Sequence, residues 1–236
     1  MDRELIEGRE WGADLARTAH LAAHELRSHL QIISGFAVLV DKIYGPTLDD
    51  EGRDMLRLIC ASAGNQDALI NDLVALAELV SEPGETGSVD LDELMTDVVS
   101  EFEDGIVKTG GEVHWHGLPA VTGSRGQLAV LLRNLVKNAL TFVDPSTIPV
   151  VDISGTRCDG YWLLTVADNG IGIDPARRDD VFGLFTRLHP RRQYTGSGLG
   201  LTACRHIVSR LGGRIWVEGR PEGGSAFSVT LPAGES

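Results

Sequence analysis

Near the start of the chain, apolar or small residues recur at Ala16, Ala19, Ala23, Leu26, Leu30, Ile33, Ala37 and Val40. The gaps alternate between three and four. This predicts a helix with a heptad seam, running from about residue 10 to Tyr44, where Gly45-Pro46 stops it. A second seam, at Met55, Ile59, Ser62, Gln66, Leu69, Leu73, Leu76 and Val80, predicts another long helix from about Leu48. Two long helices joined by a short turn make an antiparallel hairpin, and one hairpin leaves a wide apolar seam uncovered. Pairing of two copies into a four-helix bundle is the expected remedy, so a homodimer is predicted; Ser62, Gln66 and the alanines weaken its seam.

SEPGETGS, at 81–88, is polar and carries Gly and Pro, which marks a domain boundary. The predicted organisation is a helical lead over 1–13, the hairpin over 14–81, a linker over 82–90 and a second domain over 91–234. That second domain mixes periodicities. VDLDELMTDVVSEF predicts a short amphipathic helix and GGEVHWHGL a strand. RGQLAVLLRNLVKNALTF predicts a helix with Leu128, Leu131, Leu135, Ala139 and Phe142 on one face. VVDISG and YWLLTVAD predict strands joined by Asp159-Gly160. GLGLTACRHIVSRLGG predicts a helix closed by two glycines, and RIWVEG and SAFSVTL predict the closing strands. The predicted fold is therefore multidomain: an all-α helical hairpin followed by an α+β sandwich, with helices on one face of a mixed sheet.

Composition narrows the function. With 236 residues, 42% hydrophobic and 23% charged, the chain has the makings of a globular protein with a substantial core. A net charge of −13 argues against a nucleic-acid partner, because neutralising phosphates needs a basic face. Cys60, Cys158 and Cys204 are dispersed and lack metal-ligand spacing, which fits reduced thiols in a cytoplasmic protein. The longest nearly apolar run, around Gln31–Val40, is too short to span a bilayer, so no direct membrane insertion is expected. MDRELIEGRE has no signal-peptide core.

Four groups of residues carry candidate chemistry. His24 stands one residue past a seam position with Glu25 beside it, and such a pair faces water or a partner. Asn134 and Asn138 lie one helical turn apart on a shared face, where their carbonyl oxygens suit a hard cation such as Mg²⁺. ADNGIGID, at 167–174, follows a strand. Its Asp168 can accept a hydrogen bond from an adenine amino group, while Gly170 and Gly172 let the backbone approach a ring. GSGLGLT, at 196–202, runs straight into a helix and frees backbone amides for phosphate oxygens at a positive helix end. Singly, the His–Glu pair and the Asn pair are better read as solvated or capping residues, and the two glycine loops compete with an ordinary turn and a hinge.

Taken in order, these segments resemble the sensor histidine kinases of two-component signalling. AHELRSHL looks like the H box, NLVKNAL the N box, DNGIGI the G1 box, VFGLFTRL the F box and GSGLGL the G2 box; EGGSAFSVTLP looks like the closing hairpin. RLHPRRQYTGSGLGL and GGRIWVE are most similar to the soluble, bacteriophytochrome-like branch. The resemblance spans about residues 16–232. It implies a dimerisation and phosphoacceptor hairpin joined to a GHKL-type ATPase domain. It also implies autophosphorylation at His24 with Glu25 as general base, and transfer of the phosphoryl group to an aspartate of a response regulator receiver domain. ATP and Mg²⁺ are the implied cofactors. Asn134, Asn138, Asp168, Gly170, Gly172, Gly196, Gly198, Leu199 and Gly200 form the implied nucleotide site, and Asn138 the metal ligand. Asp174–Thr195 is the implied lid, with Phe182 and Phe185 as apolar pins. Its Arg187, Arg191 and Arg192 are within reach of phosphates in principle but are left out of the implied site, since surface arginines are usually solvated and only Arg187 lies in a matched box.

The chain departs from the pattern at His29, where the family usually has Pro, at Ser28, where Thr or Asn is common, and at Thr141, where Lys often stands. No sensor domain precedes the hairpin in this sequence, which implies a separate sensor protein or a sensor domain outside it. Two other readings compete: a kinase-like scaffold that binds a receiver domain without efficient autophosphorylation, and a kinase of the anti-sigma type, which lacks a phosphoacceptor hairpin.

Overall fold

The computed structural model describes residues 2–81, 84–188 and 196–233, with side chains from Ala16 onward. The chain divides into two compact units, Met1–Glu82 and Pro83–Ser236. Among the described residues, no helix is long and apolar enough to cross a membrane.

The first unit is a hairpin of α1 (Asp2–Tyr44) and α2 (Asp50–Ser81), joined through a single tight turn of helix at Gly45–Thr47. Pro46 sits at the start of that turn, where its missing N–H costs nothing. The Asp49 carboxylate then accepts a 2.8 Å bond from Gly52 N, and Asp50 and Glu51 complement the positive end of α2. α1 starts well before the expected residue 10 and runs unbroken through His29 to the expected end at Tyr44.

Inside the hairpin α2 packs through a face beside its predicted seam. Ala63, Ile70, Val74 and Ala77 are buried, each one residue beyond the expected Ser62, Leu69, Leu73 and Leu76. One residue turns a helix by about 100°, so the predicted seam lies to the side of the contact. Residue size explains the choice. Alanines at 23 and 37 of α1 and at 63 and 77 of α2 let the two backbones come close, and Ala23, Ile70 and Val74 cluster with Leu30 between them. The bulky apolar residues Leu26, Ile33, Phe36, Leu39, Met55, Leu58 and Ile59 stand on the surface instead.

The second unit opens with β1 (Gly87–Asp90), α3 (Leu91–Ser100), α4 (Glu103–Thr109), β2 (Glu112–His116) and β3 (Ala120–Gly123). It continues with α5 (Arg125–Thr141), β4 (Val150–Cys158), β5 (Tyr161–Asp168), α6 (Gly200–Arg210), β6 (Arg214–Gly219) and β7 (Ser225–Pro232). β1 pairs antiparallel with β3, so the last four residues of the expected 82–90 linker form a strand of this unit. Asp90 then caps α3, accepting from Asp92 N at 2.9 Å and Glu93 N at 3.2 Å. α4 ends at Gly110 in the left-handed region, φ 68°.

The main sheet has the order β2-β4-β5-β7-β6, with β2 and β4 parallel and the other neighbours antiparallel. Alternate residues Val151, Ile153, Leu164, Val166, Phe227 and Val229 are buried, as period-two strands require when one face is covered. α5 and α6 supply that cover through Leu128, Leu131, Leu135, Ala139, Ile207 and Val208, all buried. Phe142, expected on the same face, stands past the helix end with φ −91° and is only half-buried. Arg133 of α5 grips Glu101 with two parallel bonds of 2.6 and 2.5 Å, which hold that carboxyl below the usual carboxylate range.

Leu135 is fully buried, and truncation there leaves a void between α5 and its surroundings. Leu135→Ala is expected to cost about 2–5 kcal/mol, read as a lower denaturation midpoint with an unchanged slope in urea.

Candidate functional site

The alternation that buries Leu164 and Val166 in β5 also turns Asp168, the last residue of the strand, to the buried side. A carboxylate at 6% exposure needs partners, and it has them. Oδ1 accepts from Gly170 N at 2.8 Å and from Ser225 N at 3.0 Å. Arg220 donates Nη1 to the Asp168 carbonyl oxygen at 3.0 Å. Burial pushes the Asp168 carboxyl above its ordinary value, opposed by the two backbone N–H groups and by the Arg220 charge. Both side-chain bonds fall on Oδ1, which leaves Oδ2 for a donor from outside the chain.

The loop after β5 is shaped by glycines at close approaches. A Cβ on Gly170 would stand 2.3 Å from the Phe142 carbonyl oxygen, and one on Gly224 would stand 2.0 Å from the Asp168 carbonyl oxygen. Asn169 fastens the same loop to the start of β4, accepting from Val150 N and donating to the Ile148 carbonyl oxygen, each at 2.9 Å. Gly172 takes φ 73°.

α5 and α6 meet at a second cluster. Asn134 donates Nδ2 to the Val130 carbonyl oxygen at 2.9 Å, and its Oδ1 is turned to Gly200, where a Cβ would lie only 2.4 Å away. Asn138 follows one turn later, half-buried. Gly200 is the first residue of α6, so an acceptor-rich face of α5 adjoins the positive end of a helix. Leu199, at 2% exposure, anchors the loop to the core through its side chain, and its backbone N–H donates to Ser197 Oγ at 3.2 Å. Gly198, φ 77°, runs so close to the chain at Phe185-Thr186 that a Cβ would sit 2.8 Å from the Thr186 carbonyl oxygen. Gly196 accepts a bond from Arg187 through its carbonyl oxygen.

The two expected pins behave differently. Phe182 is buried edge-on against Phe227, ring centres 6.4 Å apart, and Thr202 Oγ1 of α6 holds the Phe182 and Gly183 carbonyl oxygens. Phe185 is half-exposed at φ 56°. Arg191 and Arg192 lie outside the described residues. A cleft of about 520 Å³ opens beside the loop after β5, bounded by Ile171, Ile173, Leu188, Gly219 and Gly224; of the expected ligand residues Gly172 borders it.

In the hairpin, His24 and Glu25 are both exposed on α1. Two polar links to α2 flank them: His20 Nε2 with Glu78 Oε1 at 3.0 Å, and Arg27 Nη2 to Asn71 Oδ1 at 2.5 Å. Sequence reasoning missed Ser225 and Arg220, which support Asp168 from β7 and the turn before it. Their only signal was the Gly223-Gly224 pair, which marks a close backbone approach without saying to what.

The second unit thus sets a buried carboxylate at the end of a central strand and an Asn face against a glycine-opened helix end. Residues 123–235 match the family described as histidine kinase-, DNA gyrase B-, and HSP90-like ATPase. The chain is 31% identical over 222 residues to the phytochrome-like protein Cph1 of Synechocystis, an alignment taking in 94% of this chain and 30% of that protein. It is 31% identical over 224 residues to the methanogenesis regulatory histidine kinase FilI of Methanothrix harundinacea, covering 93% of this chain and 25% of that one. Full-length ShkA, solved in complex with AMPPNP, superposes with a TM-score of 0.66 at 26% identity, over 92% of this chain and 45% of that one. The chain thus spans less than half the length of each of these proteins. Its second unit is similar to the GHKL-type ATPases, and the chain, with a helical hairpin ahead of that unit, is similar to histidine kinases over more than nine-tenths of its length.

Because burial raises the Asp168 carboxyl, its neutral form contributes stability that is full below the unfolded value and is lost as pH rises through the higher folded value. Asp168→Asn keeps an Oδ1 acceptor for Gly170 and Ser225. The variant is expected to melt no lower than the wild type at pH 7, with its relative advantage shrinking toward pH 4. ATP titration at pH 7 should show roughly tenfold or greater loss of affinity, since a lost bond to a charged acceptor costs about 1.5–3 kcal/mol. A lower melting temperature at pH 7 would make the carboxylate a structural group.

Proposed function

We propose that the protein is an ATP-dependent histidine autokinase that phosphorylates His24 and passes the phosphoryl group to an aspartate of a response regulator receiver domain. The observation that carries this reading is the exposed His24–Glu25 pair on a hairpin helix of a chain whose second unit is an ATPase domain.

Each residue has a role its position supports. Asp168 Oδ2 receives the adenine amino group. Gly170 and Gly172 keep the loop beside it free of side chains. Gly196, Gly198 and Gly200, with the Leu199 backbone, present the start of α6 to the phosphates. Asn138, with Asn134 one turn away, would hold Mg²⁺ through its carbonyl oxygen; both are neutral oxygen donors, which suits a hard cation that keeps water and phosphate ligands. Mg²⁺ when bound neutralises charge on the phosphates. A ring nitrogen of neutral His24 attacks the γ-phosphorus, the bond from that phosphorus to the β,γ-bridging oxygen breaks, and ADP leaves. Glu25 takes the ring proton. ATP is a cytoplasmic substrate, and a cytoplasmic site follows.

The homodimer is part of this reading. Ile33, Phe36, Leu39, Leu58 and Ile59 form bulky apolar surface on a hairpin too narrow to cover it, and a second copy supplies a matching face. Phe36→Glu is expected to convert dimer to monomer, seen as a halved mass in sedimentation equilibrium; an unchanged mass would move the interface elsewhere.

Incubation with γ-labelled ATP and Mg²⁺ is expected to give an acid-labile, base-stable protein label, lost in His24→Ala. Glu25→Gln should lower the labelling rate about 10²–10⁴-fold with ATP affinity unchanged. Label that persists in His24→Ala would place the acceptor on another residue.

A further inference from the structure

Arg27 stands one turn beyond His24 on α1, and on a helix residues three apart have neighbouring side chains. His20, His24 and Arg27, spaced four and three, make one stripe. The residues at both ends of that stripe are joined to α2. His20 pairs with Glu78, and the Arg27 guanidinium donates Nη2 to Asn71 Oδ1 at 2.5 Å while its Nε lies 3.5 Å from Asp67 Oδ1. A group added to the His24 ring is therefore flanked on one side by this guanidinium.

Charge makes that neighbour matter. A phosphoryl group brings about two negative charges at neutral pH. Glu25 adjoins it in sequence, and Glu78 and Asp67 of α2 pair with its stripe neighbours His20 and Arg27. Against them there is a single permanent cation: α1 has no Lys or Arg between Arg17 and Lys42 except Arg27, and α2 has none from Leu58 to Ser81. Arg27 also suits the task in form. Its planar fork offers five N–H donors, of which the bond to Asn71 uses one and the longer contact to Asp67 another. The Arg27 and Asp67 side chains are 36% and 48% exposed, so their contact is a weak, water-screened one. Charge-assisted bonds to phosphoryl oxygens are shorter and stronger.

We propose that Arg27 is the counter-charge of phosphorylated His24, parked on Asp67 and Asn71 while the histidine is free and turned to the phosphoryl oxygens once the N–P bond has formed. This rests on His24 as the phosphoacceptor. The reaction is reversible: ADP can take the phosphoryl group back, breaking the N–P bond, re-forming the phosphorus bond to the ADP terminal oxygen and returning a proton to the ring. A counter-charge on the product must then shift the equilibrium itself.

The measurement is the ratio of phosphorylated to free His24 at equilibrium with a fixed ATP/ADP mixture, approached from unphosphorylated protein with ATP and from phosphorylated protein with ADP. Arg27→Met is expected to lower the ratio about tenfold, and Arg27→Lys to restore part of it. Asp67→Asn, which removes the competing anion, is expected to raise the ratio severalfold. A pair that only braced the hairpin would lower the ratio in both variants or leave it alone, and either result overturns the proposal. Should Arg27→Met unfold, as circular dichroism would report, Asp67→Asn decides alone: a rise supports the counter-charge, and no rise refutes it. Absence of label on His24 in the wild type would instead overturn the autokinase reading and this proposal with it. A labelled wild type with an unmoved Arg27→Met ratio overturns only the counter-charge.

Discussion

A carboxylate taken out of water at the end of the central strand is the constraint around which the second unit is arranged. Asp168 is forced inward by the same alternation that buries Leu164 and Val166, so its position follows from the strand itself. Keeping it there requires donors, and they come from two distant parts of the chain, Gly170 just downstream and Ser225 at the start of β7. Those donors reach it because the backbone approaches where only glycine fits, at Gly170 against Phe142 and at Gly224 against the Asp168 carbonyl. The sheet order, with β5 between β4 and β7, is what brings these pieces to one point. A carboxylate satisfied on one oxygen and open on the other is held rigidly and still has an acceptor to offer, the preorganisation that recognition needs.

The hairpin solves a different problem, that of splitting one apolar surface between two uses. Small residues at 23, 37, 63 and 77 form the close contact within the hairpin, while Phe36, Ile33, Leu39 and Leu58 face outward. Close approach of alanine-lined helices gains dispersion contacts with little surface, so the bulky apolar area stays available for association. The division also sets the limits of each contact. Small residues bury little area, and polar links such as Arg27 to Asn71 help to hold the register of α1 on α2.

How far this could be read beforehand follows the same physics. Long, strongly periodic segments were legible: the ends of α1 at Tyr44 and of α2 near Ser81, the buried face of α5, and the β4–β5 hairpin at Asp159-Gly160 all stand as their patterns require. β1, β3 and α4 were not, because strands of four residues and a helix of seven hold too few periods to separate from a loop. Which face of α2 packs inside the hairpin could not be read beforehand for a subtler reason. Its apolar and small residues ring the helix, so Ser62-Leu69-Leu73-Leu76 and Ala63-Ile70-Val74-Ala77 both satisfy a heptad; only the size match with Ala23 and Ala37 selects between them. At the site, residue type and order singled out Asn134, Asn138, Asp168 and the glycines as candidates, and the structure sets Asn134 against Gly200 and Asp168 beside Gly170. The burial of the Leu199 side chain was not legible, because nothing in residue type tells a loop position that faces solvent from one that anchors the loop to the core.

His24 shows how these choices meet in one residue. Ala23, beside it, is locked into the cluster with Ile70 and Val74, so the backbone carrying the imidazole belongs to the best-packed part of the hairpin. One residue on, the helix has turned by about 100°, and the ring leaves the packed face for water. The nucleophile proposed at 24 needs both properties, a fixed point of attachment and a free ring, and a heptad seam with an alanine at 23 supplies them together. A bulkier residue there would widen the contact between α1 and α2 and loosen the footing of the ring. A shift of the seam by one position would place the imidazole between the helices, where burial disfavours the charged form and no reaction partner can reach it.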